Sequence, residues 1–552
     1  MKKRSLLIVG FLSLISFIIN TTLIAAETPP ASLPSVVFAE EQTWLHKVQE
    51  GLQERFSKKT THTRPENKEL FLIAFYQKRD FKPLWLNENG WHSAANAVIE
   101  TLSQAFKEGL DPDAYKDDIQ IFLKVSGNDP KTLLEAEIAL TRAVLNYIHD
   151  LFGGRLNPKK IDKRLALTPE SIDVSAVLAK GVEDDPSFEW LKVLTVRLPE
   201  YQDLKKLLAD YINLSSQSRP LLMPGKSLKK GDVDPRINIL RALLRQENDL
   251  KNANDSNAFD EELENALQHF QQRHGLEADG ILGNLTLETL NIPISEKIKK
   301  IIVSMERWRW MPKILGKRYV LVNIAGTELQ AFEDDKPVLE MPIIVGLKYL
   351  QTPVFSSVIY GIRFNPSWHV PHSIAIKDEL KNFSKDPSYA RKKGFIVKDS
   401  DGSFVDPESI DWSAVTPDSF SYTFVQRPGA QNALGKIRFS IQSPFDVYLH
   451  STPNASLFNK AVRFLSHGCI RVAKPLELAN FIFNDPDWPL EKINAAMEGD
   501  ITSNITLKNP VSVYINYFTA WTDNEEVPHF VTDVYGQDEK IWNALADLKQ
   551  KI

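Results

Sequence analysis

The stretch FLSHGCIRV, from Phe464 to Val472, holds the only cysteine among 552 residues. A thiol works as a nucleophile when a base takes its proton and main-chain donors face the oxyanion that forms on the attacked carbonyl. Gly468 directly precedes Cys469, and a residue without Cβ lets backbone approach a substrate closely. His450, at the end of the strand-like VYLH, is the candidate base, because a strand end is a rigid seat for an imidazole. Two other chemistries compete for these residues. A lone cysteine is often a small buried hydrophobe. Zinc would draw on His467 with Cys469, or on the His369 and His372 pair, yet structural zinc takes its ligands as spaced pairs and His-Gly-Cys is an awkward chelate. The reading adopted is a Cys469–His450 dyad with no metal and no cofactor.

The elements that must position this pair are mostly strands. From Arg318 onward RYVLVNI, ELQAFED and VLEMPIIVG are short runs rich in β-branched and aromatic residues, broken by Gly326-Thr327 and by Asp334-Asp335-Lys336-Pro337. IYGIRF, SYTFVQR, KIRFSI and DVYLH continue the pattern. The predicted catalytic domain spans 300–490, and residues 491–552 are read as a C-terminal extension packed on it. Between His372 and Ser421 the chain turns polar and lysine-rich, which reads as an insertion (about 373–420) acting either as a lid or as a solvated decoration.

The rest of the chain is helical in pattern. Trp44, Leu45, Val48, Leu52 and Phe56 recur at helical spacing, and ANAVIETLSQAFKEGL and AEIALTRAVLNYIHDLFGG behave alike, each ending at glycine. Residues 36–215 are therefore a helical scaffold domain. A polar Pro/Gly stretch from Ser215 to Asp234 reads as a linker, and a compact helical unit follows at 235–293. The predicted fold is multidomain α+β: helical scaffold, small helical module, and β-rich catalytic domain with an inserted lid.

Composition sets outer bounds. A length of 552 residues suggests three or four domains at roughly 150 residues each. Net charge is −5, which supplies no basic footprint for nucleic acid. Lys2, Lys3 and Arg4 precede the apolar run LLIVGFLSLISFII, so residues 1–26 read as an export signal or, if uncleaved, an anchor. Either way the remainder is expected outside the cytoplasmic membrane, in the periplasm.

LHSTP, SLF and SHGCIRV together resemble the catalytic signature of the YkuD-type L,D-transpeptidases. VGLKYLQTPVFSS, FNPSWHVPHSIA, RPGAQNALGKIRF and VYINYFTAW…HFVTDVYG are similar to segments of the large multidomain Gram-negative members, as are QKRDFKPLW, EGLDPDAY and GGRLNP in the helical half. Phe270-Gln271, Gly275-Leu276, Asp279-Gly280, Gly283 and Thr286 resemble the peptidoglycan-binding helical module. The resemblance implies Cys469 as nucleophile, His450 as base, and backbone at His467, Gly468 and Cys469 around the oxyanion. It further implies the Ser451 carbonyl as the group orienting His450, and Arg471 as a residue ordering the site. Tyr448, one strand repeat before His450, shares its face and is either a substrate contact or core. His369 and His372 depart from the family pattern.

The implied activity is peptidoglycan cross-linking. A tetrapeptide stem would be the acyl donor, a diaminopimelate amine the acceptor, and carbapenems the expected inhibitors. Hydrolysis of the same thioester would make an L,D-carboxypeptidase, and an inert buried Cys469 would leave a non-catalytic wall-binding protein.

Overall fold

The computed structural model describes residues 43–57, 69–252, 256–386 and 388–550. The export-signal reading of residues 1–26 lies outside them. Among the described residues no helix is long and apolar enough to cross a membrane.

Helices at Thr43–Phe56, Glu69–Lys78, Ala94–Ser103, Asp113–Leu123 and Val174–Asp184 surround the long helix Pro130–Gly153. Sequence dictates where that helix begins: Pro130 needs no amide partner at the first position, and the Asp129 carboxylate accepts from the Thr132 amide at 3.1 Å. Its fully buried acid, Glu137, accepts from the Leu84 amide (2.5 Å), the Trp85 amide (2.9 Å) and the Tyr76 hydroxyl (2.8 Å). The acid is thereby tied to a turn that has no helix of its own.

The small helical module packs Arg236–Gln246, Glu261–Arg273 and Asn284–Leu290 on a separate core. The expected linker is partly inside it. Leu222 and Leu228 are buried there, and Leu228 exchanges two backbone hydrogen bonds with Leu282. Gln271 explains the motif around it: its amide donates to Asp279 (2.8 Å) and Thr286 (3.1 Å), and its oxygen accepts from the Gly280 amide (2.8 Å). Buried Glu247 pairs with Arg273 and Lys297, and Arg273 reaches the Pro528 carbonyl, so the module is anchored against the C-terminal region.

Nine strands form the main sheet: β1 (Arg318–Asn323), β2 (Glu328–Glu333), β3 (Lys336–Gly346), β4 (Phe355–Phe364), β5 (Ile437–Ile441), β6 (Leu449–His450), β7 (Phe464–Ser466), β8 (Ile470–Val472) and β9 (Ser503–Asn516). Their order is β7-β3-β8-β6-β5-β4-β9-β1-β2, and β2 also pairs with β3, so the sheet closes on itself. The C-terminal segment is therefore no mere packed extension. Its strand β9 lies between β4 and β1, antiparallel to one and parallel to the other. Alternation of Val511, Val513 and Ile515 toward the core makes this an interior strand.

The insertion also differs from expectation. Trp368–His369, Thr423–Gln426, Phe395–Lys398 and Phe404–Val405 form a second four-stranded sheet, whose first two strands lie just outside the predicted limits of 373–420 on either side. Its core is aromatic, with Phe383 stacked on Phe424 at 4.5 Å and tilted on Trp412 at 4.9 Å. The polar lysines that drew attention in the sequence decorate a folded subdomain. His369 and His372 belong to it, His372 resting against Phe420.

One helix, Ile294–Arg309, holds scaffold and sheet together. Glu306 accepts from the Arg155 amide (2.7 Å), the Leu156 amide (3.0 Å), the Trp310 indole (3.2 Å) and Arg309 (3.0 Å). Arg309 donates onward to the Glu108 carbonyl and the Tyr201 hydroxyl, and Arg307 pairs with Asp538 of the last helix at 2.6 Å. Removing one member of such a knot strands the others. Glu306→Ala is predicted to cost about 3 kcal/mol and lower the urea midpoint, whereas Glu296→Ala on the exposed side of the same helix changes it little.

Candidate active site

His450 ends β6 and is buried, 4% exposed. Its Nδ1–H donates to the Ser451 carbonyl at 2.6 Å, which fixes the tautomer and leaves the Nε2 lone pair free. Ser451 is itself held on every side. Its hydroxyl accepts from the Lys436 amide (2.8 Å) and the Ile437 amide (3.1 Å), and its own amide donates to Ile437 (2.9 Å). Gly435 has to be glycine here: its φ is +63° and a Cβ would lie 2.2 Å from the Ser451 hydroxyl. Burial, with the nearby Arg471 guanidinium second, pushes the imidazole down to about 3, so it is neutral at rest.

Cys469 is half-buried at the mouth of the same strands. β6 and β8 run parallel, with Leu449 beside Ile470 and His450 beside Arg471. Leu449 and Ile470 point into the core, so the alternate residues Tyr448, His450, Cys469 and Arg471 share the other face. The same register, continued one residue, sets Cys469 beside Tyr448, and the Ile470 amide donates to the Tyr448 carbonyl at 3.1 Å. The thiol is thus one step from the imidazole. Its Sγ lies 3.9 Å from the Asp446 carbonyl, and among the described residues no hydrogen bond joins it to His450. Burial pushes the thiol above its ordinary range, while hydrogen bonds from Tyr448 and the charge of Arg471 pull it back. Tyr448 therefore lies beside the sulfur on the face it shares with His450.

The turn before the thiol is braced from below. Gly468 adopts φ +115°, closed to other residues. Its amide donates to the Ser466 hydroxyl at 3.1 Å, and that hydroxyl donates to the Cys469 carbonyl at 2.6 Å. With the Gly468 amide engaged, an oxyanion would look to the amides of its neighbours, His467 and Cys469. The Gly468 carbonyl accepts from the Thr352 hydroxyl at 2.8 Å. Thr352 belongs to a loop held by the Tyr535 hydroxyl on one side and by Arg164 and Ala166 of the scaffold on the other. The His467 side chain points away from the sulfur, its Nε2 meeting Asp378 of the insertion at 2.6 Å.

Arg471 lies beside His450, half-buried, with its Nε lacking an acceptor. Sequence reasoning passed over Arg438, Thr352 and Tyr535. Arg438 sits opposite His450 on β5, its guanidinium 5.0 Å from the Tyr448 ring. All three fall in segments already matched to the family, but nothing local distinguished them from neighbouring residues. Their roles come from register and from contacts far along the chain.

Comparison with known proteins agrees with this layout. Residues 317–489 match the family described as "L,D-transpeptidase catalytic domain", residues 234–290 the "Putative peptidoglycan binding domain", and residues 71–208 the "Scaffold domain". A protein of Haemophilus influenzae named "Putative L,D-transpeptidase" is 32% identical over 253 residues, covering 45% of this chain. The match spans about half of that relative's length, 51%. Among solved structures, an L,D-transpeptidase from Stackebrandtia nassauensis shares 12% identity over 54% of this chain and 97% of its own, with a TM-score of 0.21. One from Xylanimonas cellulosilytica shares 13% over 53% of this chain and 99% of its own, with a TM-score of 0.17. Scores this low add nothing to the domain matches. The chain thus carries a YkuD-type L,D-transpeptidase catalytic domain, joined to a peptidoglycan-binding domain and a scaffold domain.

Proposed function

We propose that the protein is a periplasmic peptidoglycan L,D-transpeptidase that works through a thioester on Cys469. The observation that carries this reading is the fixed tautomer of His450, whose free Nε2 sits on the same face as the only thiol. Sγ rests 3.9 Å from the Asp446 carbonyl, and catalytic hydrogen bonds commonly tighten only when substrate arrives. Both groups are neutral at rest. The proton therefore moves from sulfur to Nε2 as attack proceeds, rather than being stored as an ion pair.

Sulfur adds to the carbonyl of the third residue of a tetrapeptide stem, and the oxyanion is held by main-chain amides. His450 returns its proton to the departing nitrogen, the C–N bond breaks, and terminal D-Ala leaves. A diaminopimelate amine then attacks the thioester, His450 takes a proton from it, and the thiolate is expelled, giving a 3→3 cross-link. Water in place of the amine gives the trimmed tripeptide. The insertion reaches the catalytic turn through Asp378 and His467, which supports its acting as a lid that favours the amine by excluding water. The peptidoglycan-binding domain would hold the enzyme on its polymer.

Intact-mass measurement after incubation with a carbapenem should find one drug mass on the wild type and none on Cys469→Ala; an unmodified wild type would return the chain to a wall-binding role. His450→Gln should slow that acylation by roughly 10² to 10⁴ while the protein stays folded.

Arg471 lowers the His450 basicity, so its removal has a defined sign. In Arg471→Gln the imidazole rises toward its ordinary value, and the acid limb of the acylation rate moves to higher pH. Stopped-flow profiles between pH 4 and 8 on wild type and variant check this. Tyr448→Phe removes a donor to the sulfur and should shift the thiol further up, read as a higher pH for half-maximal iodoacetamide alkylation.

A further inference from the structure

Beyond the dyad, the face that carries the thiol holds a row of arginines that begins at Arg471. Register sets Arg363 of β4 opposite Arg438 of β5, Arg438 opposite His450 of β6, and His450 opposite Arg471 of β8. Four neighbouring strands thus present three guanidinium groups and one imidazole in line, spanning three strand gaps or roughly 14 Å. Among the described residues none of the three arginines makes an ion pair. Arg363 donates to Asn504 and Arg438 to Ser440 at 3.3 Å, both neutral groups. The Nε atoms of Arg438 and Arg471 are buried without an acceptor.

Like charges placed directly opposite each other on a sheet are destabilising. Here Arg363 also weakens the hold of Arg438 on its proton, second to burial. A protein gains nothing in its empty state from such a row. An anion lying across it would relieve the repulsion and satisfy the unused donors, and a guanidinium fork suits the two oxygens of a carboxylate.

We propose that Arg438 and Arg363, continuing the line of Arg471, form a subsite for a substrate carboxylate beside Cys469. Given the transpeptidase reading, on which the identity of the natural ligand rests, the carboxylate belongs to the donor stem. A tetrapeptide carries one on the departing residue and one on the side chain of the third residue, on either side of the bond that breaks. Arg438 is the inner residue of the subsite, stacked over Tyr448, and Arg363 the outer one. Both are positioning residues for the donor.

The test compares alkylation of Cys469 in the full chain by iodoacetate, which carries a carboxylate, and by neutral iodoacetamide, followed by intact mass at low salt. Glutathione supplies the intrinsic ratio of the two reagents. The wild type should favour iodoacetate relative to glutathione, and added salt should remove that preference without slowing iodoacetamide. Arg438→Gln and Arg363→Gln should each lower the ratio about fivefold, with Arg438→Lys keeping most of it. A wild-type ratio equal to that of glutathione and indifferent to salt overturns the subsite, even if a variant fails to fold. So does a ratio unchanged in both glutamine variants.

A second arm uses tetrapeptide stems amidated at one carboxylate or the other. Amidation at the recognised position should raise KM for the wild type and have little effect in Arg438→Gln, which names the carboxylate. KM indifferent to both amidations overturns the assignment to the donor stem. An alkylation preference without turnover of any stem would sustain the anion subsite while removing the transpeptidase reading.

Discussion

The site depends on one hydrogen bond, from His450 Nδ1 to the Ser451 carbonyl at 2.6 Å. Without it the buried ring could take either tautomer, and the nitrogen facing the thiol could carry a proton it has no use for. Ser451 can serve this way only because its hydroxyl and amide are engaged by the start of β5, where Gly435 leaves room for it. A glycine in a loop thereby helps to set the tautomer of an imidazole on the neighbouring strand.

The surrounding architecture serves the same end from other directions. The Gly468 turn rests on Thr352, Thr352 on Tyr535, and the adjoining strand entry on scaffold residues Arg164 and Ala166. Scaffold, C-terminal segment and catalytic sheet therefore meet beneath the thiol. The buried knot of Glu306, Arg307 and Arg309 fixes their mutual orientation, and buried Glu247 does so for the peptidoglycan-binding domain. Such ionic groups are expensive to bury and favour one arrangement over near alternatives. Rigid placement keeps the turn that carries Cys469 in register with the strand that carries His450.

Much of this was legible in the sequence. The cysteine, the glycine before it and the histidine at a strand end carry chemistry in their types and spacing, and the family resemblance supplied the Ser451 carbonyl. Local composition and alternation located β1 to β6, and helical spacing located the scaffold helices. What stayed hidden depends on pairing between distant residues. Ser503–Asn516 alternates like any strand, but nothing within it says that its neighbours are β1 and β4. Likewise a register of one residue decides that Cys469 lies beside Tyr448 rather than His450, and no spacing along the chain reveals it. The insertion looked polar because charged and small polar residues separate, along the chain, the aromatics that gather into its core around Phe383.

The central claim is that His450 is neutral at rest, with its proton on Nδ1 and Nε2 open toward the thiol. Nitrogen-15 NMR of the imidazole, assigned with a His450→Gln control and followed from pH 5 to 9, measures this directly. The account predicts a single neutral tautomer protonated at Nδ1 across that range. An imidazolium signal at neutral pH, or a proton on Nε2, would contradict it.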